Sequence, residues 1–461
     1  MILDALHHKR EALSQFIIEH DALLALIRRL PMEILTKIFI LCMPNHGMSS
    51  FDPEHSPLLV GQVCIGWRQV ALSTQALWSS ITVTRDRPSN KMANLWISRA
   101  LSVPLTIRLD CTGSSKVGSI RLAISVLVQY CDRWKTLELC IPESAIPRLR
   151  SIRHRLPSLE SLSIQNPQES RFWSHEFSIF EFAPRLSKLS LGPGIFHDAR
   201  FKIPWHQLTE LTAHIKNITE CLEILQLVPN LIKCIVYNAS STSEASIPLQ
   251  NTSIVTFPRL RSFSVLHSVR PDEIFKHIQL PIIHALHVAY NDERKSGEDS
   301  KWFSQQPFIA PLSSSHTLRR LEIDCLRVCE DSAYIVRCLR AVPSLKELCL
   351  RGSGGWITND LLRLLTHQAN IDVLVPALEV VEIRDDSIPS FECMSMIESR
   401  RVTVGSYLKR VHIEMVMTED WLVDAKILNR LRKCRQEGMV ISIVNISKHQ
   451  DLVDDRLEIV H

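Results

Sequence analysis

A nine-residue pattern, apolar-Pro-x-Leu-x-x-Leu-x-Leu, returns along most of this chain and dictates what it can fold into. The clearest copies are Leu156–Ile164, Ala183–Leu191, Val342–Leu350 and Val375–Ile383. Weaker copies centre on Leu137, Leu211, Cys234, Phe263, Leu286, Leu321 and Val411. Proline recurs at one place in the pattern, at Pro157, Pro184, Pro229, Pro258, Pro281, Pro343 and Pro376. Its ring stops an incoming helix and sets an extended chain. The two final apolar residues, two apart, then point to one face of a short strand, and their neighbours point to the other. Copies follow one another every ~22 to 35 residues, a period typical of stacked repeat units. Helical periodicity fills the intervals 117–131, 218–228, 272–280, 332–342 and 359–368. One strand and one helix cannot bury their apolar faces alone. Stacked neighbours can, so the pattern predicts a solenoid with a parallel sheet.

The front of the chain is built differently. Leu6, Leu13, Phe16, His20, Leu23 and Ile27 fall near a seven-residue spacing, which predicts an amphipathic helix over 3–29, packed against the segment after it. Leu30-Pro31-Met32-Glu33-Ile34-Leu35 opens a second helix, with Pro31 in the first turn, where its missing N–H costs nothing. Residues 44–57 carry Pro, Asn, Gly, Ser and Asp, which is loop chemistry. Residues 58–72 read as one further helix, with Leu59, Val63, Trp67 and Val70 on a stripe. Ser73-Thr74 stops it before a short turn that ends in Leu77-Trp78. A unit of roughly fifty residues is too small to bury every one of these side chains internally. Apolar surface left over on such a unit usually marks a protein contact.

These residues resemble an F-box, in the version common in mushroom-forming fungi. The carriers are Leu30 to Leu35, Cys64 with Trp67-Arg68, Ala71 to Thr74, and Leu77-Trp78. The resemblance implies docking on the Skp-type adaptor of an SCF-type cullin–RING ubiquitin ligase. By motif position the adaptor contacts would involve Leu30, Pro31, Ile34, Leu35, Ile38, Leu59, Val63, Trp67, Leu77 and Trp78. Some of these must be internal core instead, and sequence does not separate the two sets. The later pattern resembles the leucine-rich repeats that often follow an F-box. The asparagine or cysteine expected three residues after the last strand leucine is mostly replaced, by Pro142, Pro167, Gly194, Lys216 and Leu326, with Asn291 a plain match.

The expected fold class is therefore α/β: an N-terminal helical F-box followed by an irregular leucine-rich-repeat solenoid, a curved parallel sheet with helices outside. The expected segments are an N-terminal helix at 1–29, the F-box at 30–82, the solenoid at 93–447 and a tail at 448–461. The longest polar insertions are 240–256 and 291–315.

Composition narrows the function. Fifty-three basic against 49 acidic residues points to neither nucleic acid nor an anionic membrane as the main partner. No apolar run approaches the ~18 residues of a membrane span, and no secretory h-region is present at the start. The thirteen Cys include no C-x-x-C; Cys140, Cys234 and Cys349 sit in apolar periodic segments and read as buried hydrophobes in a reducing compartment, cytoplasm or nucleus. There is no G-x-S-x-G, G-x-x-x-x-G-K-[ST] or H-E-x-x-H, and Arg351–Gly355 reads as a turn. His7-His8, His197-Asp198 and His284/His287 read as surface or strand residues. No catalytic residue, metal or cofactor is expected. The expected role is a substrate-recognition subunit whose repeats hold a protein substrate and whose F-box reaches cullin through the adaptor. The alternative is a non-catalytic scaffold acting outside ubiquitin ligation. The outward strand positions are apolar near Ile235 and Tyr237, so the candidate substrate site is Ile235, Tyr237, Ser264 and Leu266.

Overall fold

Repeat by repeat, the pattern becomes one short strand, and consecutive strands pair in parallel. The structure is a computed structural model. It describes residues 7–17, 26–43, 50–55, 57–84, 90–110, 120–166, 177–195, 201–238, 254–268, 274–290, 316–325, 332–352, 357–367, 373–385, 388, 390–401, 408–415, 425–445 and 450–451. The chain divides into two compact units, Met1–Glu160 with Phe182–Pro184, and Ser161–Glu181 with Arg185–His461.

In the first unit, residues 7–17 are helical and all exposed. The packing expected of this helix is not found there. Its large apolar side chains, Leu13, Phe16 and Ile17, occupy little more than one turn, too little area to anchor it. A 3-10 turn, Leu26–Arg29, precedes α1 (Met32–Leu41). The Pro31 carbonyl accepts from the amides of Ile34 and Leu35, both at 3.1 Å, so proline starts this helix as expected. The helix expected over 58–72 is two helices, α2 (Val60–Val63) and α3 (Ile65–Ser73). Cys64 breaks the run: it is extended, at φ −159° and ψ 171°, and its Sγ accepts from the Trp67 amide at 3.4 Å. The thiol thus fills the N-cap role usually taken by Ser, Thr, Asp or Asn. Thr74 closes α3, its hydroxyl donating to the Val70 carbonyl at 2.7 Å. The 3-10 turn Gln75–Trp78 then carries Leu77 and Trp78 into the interior.

The chain continues through β1 (Ser80–Thr84), α4 (Asn90–Ala100), β2 (Leu105–Asp110), α5 (Ile120–Leu127) and β3 (Trp134–Cys140). These three strands pair in parallel in chain order. The helices of 30–82 therefore share one unit with three strands. The segment around Ser50 is tied to β1: the Ser50 amide donates to the Thr82 carbonyl at 3.1 Å, and the Thr82 amide to the Ser50 hydroxyl at 2.8 Å.

The second unit runs through β4 (Ser161–Gln165), β5 (Lys188–Leu191), β6 (Glu210–Ile215), α6 (Ile218–Leu227), β7 (Lys233–Asn238), β8 (Val255–Thr256) and β9 (Ser262–Ser268). β10 (Ile278–Gln279), β11 (Ala285–Tyr290), β12 (Arg320–Cys325), α7 (Ser332–Arg340), β13 (Glu347–Gly352) and α8 (Asn359–Leu365) come next. β14 (Val380–Asp385), α9 (Ser390–Ser399), β15 (Arg410–Met415), α10 (Ala425–Gln436), β16 (Val440–Asn445) and β17 (Gln450–Asp451) complete it. The sheet order is β4-β5-β6-β7-β9-β11-β12-β13-β14-β15-β16-β17, with β8 and β10 forming a separate pair. Among the described residues the strand pairings of this unit are parallel except that of β17, where two residues of the expected tail join the sheet antiparallel to β16.

The inward pair of each repeat is buried, as in Leu189/Leu191, Leu348/Leu350 and Val381/Ile383. Burial of these side chains drives the stacking. Gly192 marks a close approach: its amide donates to the Ile164 carbonyl at 2.8 Å, and a Cβ there would lie 3.2 Å from Gln165 Cα. The helix expected over 272–280 is corrected at its end, where Ile278–Gln279 is a strand. Ile278 and Leu280 flank Gln279 just before Pro281, a period of two rather than 3.6. Most of the insertions 240–256 and 291–315 lies outside the described residues, as do Asn291 and His197-Asp198.

Candidate functional site

The ten motif residues of the helical segment separate into three groups. Leu35, Leu77 and Trp78 are buried. Burial places them in the core, the set that sequence left mixed with the contact residues, and leaves them little surface for a partner. Trp78 is the centre of that core. Its Nε1–H donates to the Ala71 carbonyl at 2.8 Å, and its ring meets Trp96 edge-on at 4.8 Å. The Arg99 guanidinium lies over the Trp78 ring, 4.2 Å from its centre. Leu30, Ile38 and Trp67 are half-buried, with Trp67 against Phe39 at 5.0 Å. Pro31, Ile34, Leu59 and Val63 are exposed.

Two further large aliphatic side chains of the segment are exposed: Leu41, which periodicity places on the apolar face of the first helix, and Ile65, which it does not single out. Leu41 is 84% exposed and Ile65 73%, compared with Val63 at 59% and Ile34 at 41%. Leu41 is the last residue of α1 and Ile65 the first of α3. Ile65 is hidden in the sequence because a continuous helix over 58–72 does not place an end there. A short helical segment that leaves this many large aliphatic side chains in water is suited to an apolar protein contact.

In the second unit, Ile235, Tyr237, Ser264 and Leu266 are half-buried on the outward face of β7 and β9. Register brings them together: Ile235 pairs with Ser264, and Tyr237 with Leu266. His214 of β6 stacks on Tyr237, with ring centres 4.5 Å apart and planes 9° apart. The same face becomes charged further on. Arg320 reaches Glu347 at 3.0 Å and Glu322 at 3.5 Å. Arg351 contacts Glu322, Asp324 at 3.5 Å and Glu382 at 3.6 Å. His287 Nε2 lies 3.1 Å from Asp324. Burial alone would lower the pKa values of Arg320 and Arg351, but the surrounding acidic groups, Glu322 foremost among the carboxylates, raise both. The network is a set of mutually paired charges at adjacent strand positions.

Among the described residues, no group of three His, Cys, Asp or Glu side chains could hold a metal ion, and no helix is long and apolar enough to cross a membrane. Cys140, Cys234 and Cys349 are buried, as expected. Burial pushes the Cys140 thiol up to about 11 and those of Cys221 and Cys393 to about 12, so none is a ready thiolate.

Glu379, just before β14, accepts from Lys346 and Lys409, each at 2.6 Å. These two hydrogen bonds hold its carboxyl down at about 2, from an ordinary 4.5. A depressed carboxylate adds stability above the ordinary value and loses it as pH falls through the folded value. Glu379→Gln is therefore expected to flatten the loss of stability between pH 4.5 and about 2, by a small amount because the group is at the surface. Acid-titrated chemical denaturation of both chains checks this, and identical pH slopes would contradict it.

The fold defines a class: each repeat contributes one parallel strand with a buried apolar pair, which makes the second unit an α/β array of stacked parallel-strand repeats. No protein-family model matches the chain, and no curated protein matches it. Among solved structures it is similar to the leucine-rich-repeat-containing protein LegL7 from Legionella pneumophila, at 10% identity and a TM-score of 0.31. That likeness covers 81% of this chain and 92% of the other.

Proposed function

We propose that the chain is a non-catalytic substrate-recognition subunit of an SCF-type cullin–RING ubiquitin ligase. The helical segment binds the Skp-type adaptor, and the repeats bind a protein substrate. The observation that carries the reading is the exposed aliphatic set Ile34, Leu41, Leu59, Val63 and Ile65 on the segment that resembles an F-box. Water contact at these side chains is unfavourable, and covering them with a partner recovers roughly 25 cal/mol per Å². A subunit of this kind contributes proximity, holding a substrate near the ubiquitin-charged enzyme, and needs no reacting group of its own.

The test is capture of purified Skp-type adaptor by the full chain, with Ile34→Asp/Val63→Asp as the variant. Both side chains are exposed, so stability is expected to change by no more than ~0.5 kcal/mol each. A charge forced into the apolar centre of an interface is expected to weaken capture on the order of a hundredfold. Failure of the unaltered chain to bind adaptor, or undiminished capture by the variant, would end the reading. Adaptor binding without cullin co-purification would instead support a scaffold outside ubiquitin ligation.

A further inference from the structure

Between the apolar residue that ends each turn and the first inward residue of each strand, the repeat leaves two consecutive exposed or half-buried positions. From β7 to β15 these positions form a rim along the strand starts. Its continuity is fixed by backbone hydrogen bonds from one repeat to the next. The His284 amide donates to the Arg261 carbonyl, Arg319 to His284, Lys346 to Arg319, Glu379 to Lys346 and Lys409 to Glu379, all at 2.7–2.9 Å. Side chains far apart in sequence therefore line up at the ~4.8 Å spacing of adjacent strands.

The rim is strongly basic although the chain is nearly neutral. It carries seven Lys or Arg against two carboxylates, Glu347 and Glu379, an excess of five in a chain whose net charge is +4. Both carboxylates are already paired, Glu347 with Arg320 and Glu379 with Lys346 and Lys409. Lys233, Arg261, Arg319 and Arg410 remain, all exposed. Among the described residues none of these four has a side-chain ion pair. A row of unneutralised cations raises the local concentration of anions and speeds their association.

We infer that this rim is a docking surface for an acidic polypeptide segment laid across the strand starts. Charge complementarity selects an anion, and two features select polypeptide over nucleic acid. Single-stranded nucleic acid sites add aromatic platforms on which bases stack. The rim positions from Lys233 to Arg410 include no Phe, Tyr or Trp. The four unpaired cations stand at β7, β9, β12 and β15, with mutually paired charges between the last two, a discontinuous spacing that suits discrete Asp or Glu side chains better than an unbroken phosphate backbone. Seven strands span six intervals, roughly 29 Å, which an extended peptide of about nine residues covers. Docking of this kind does not require the helical segment to bind the adaptor.

The probe is a fluorescein-labelled oligoglutamate of about ten residues, with oligolysine and polythymidine of matching length as comparisons. Fluorescence anisotropy with the full chain is expected to show oligoglutamate binding that weakens as salt rises. Arg261→Glu/Arg319→Glu is expected to reduce affinity roughly tenfold or more, on the basis of two exposed charge pairs. Arg261→Gln/Arg319→Gln should lose less, and it serves as the variant if the reversed chain does not retain its melting profile. Absence of oligoglutamate binding, native affinity in the variants, or tighter binding of polythymidine would each overturn the assignment.

Discussion

Replacing Arg400 by methionine is expected to cost the second unit about 3–5 kcal/mol. The side chain is only 2% exposed. Its guanidinium donates from Nε to the Leu365 carbonyl at 2.6 Å, from Nη2 to Leu374 at 2.6 Å and from Nη1 to Val375 at 2.9 Å. Burial pulls its pKa down to about 10, so it remains charged at neutral pH. The three carbonyls come from the end of α8 and from the chain leading to β14, including Val375, which sits at φ +45°. A β-branched residue is strained there. The rigid fork of the guanidinium thus clamps a strained connection to the helix before it. Methionine fills much of the volume but leaves three acceptors without donors. Lysine, with a single nitrogen, is expected to recover part of the loss. Hydrogen exchange is the suitable measurement, because a repeat array need not unfold in one step. Amides of α8, α9 and β14 should lose protection while those of the first unit keep theirs. Unchanged exchange in α8 and α9 would show that the clamp is dispensable.

Trp78→Ala is expected to destabilise the first unit by about 3–5 kcal/mol, the range for removing a buried large aromatic side chain. Removal would leave the Ala71 carbonyl without its 2.8 Å donor, Trp96 without its edge-on partner, and Arg99 without the ring beneath it. The motif alone makes Trp78 a candidate contact, and burial makes it core. The two roles give opposite results. A core residue lowers the melting temperature and impairs adaptor capture only through unfolding. A contact residue lowers capture with the melt unchanged, as expected for Ile34→Asp/Val63→Asp. Thermal melting and capture measured on the same preparations separate them, and a normal melt for Trp78→Ala would restore it as a surface anchor.

Much of the architecture is legible in the sequence because the repeat writes its geometry at short range. Proline, a two-residue alternation of leucines and a recurring interval are all local, and they locate most strands of the second unit. β1 and β2 escape the pattern because no proline precedes β1, and in β2 Leu105 follows Pro104 directly instead of one residue later; Leu105, Ile107 and Leu109 then alternate with Thr106 and Arg108. The break at Cys64 escapes it because cysteine in an apolar run reads as a hydrophobe, and its capping role depends on backbone angles that pattern does not encode. The contact residues are legible only as a set. Leu35 and Ile34 are adjacent on one helix and equally apolar, yet one is 7% exposed and the other 41%.

The sequence by itself determined the period, the strand positions and which leucines face inward, since those follow from local dihedral preferences and from hydrophobic alternation. Only the tertiary structure decided which of Ile34, Leu35, Val63, Leu77 and Trp78 is surface. It also decided that Arg261, Arg319, Lys346 and Lys409 stand in one row, and that Arg400 joins carbonyls 25 to 35 residues away. The physical reason is that burial and charge alignment depend on which chain segments meet across the stack, and that is fixed by packing distant in sequence.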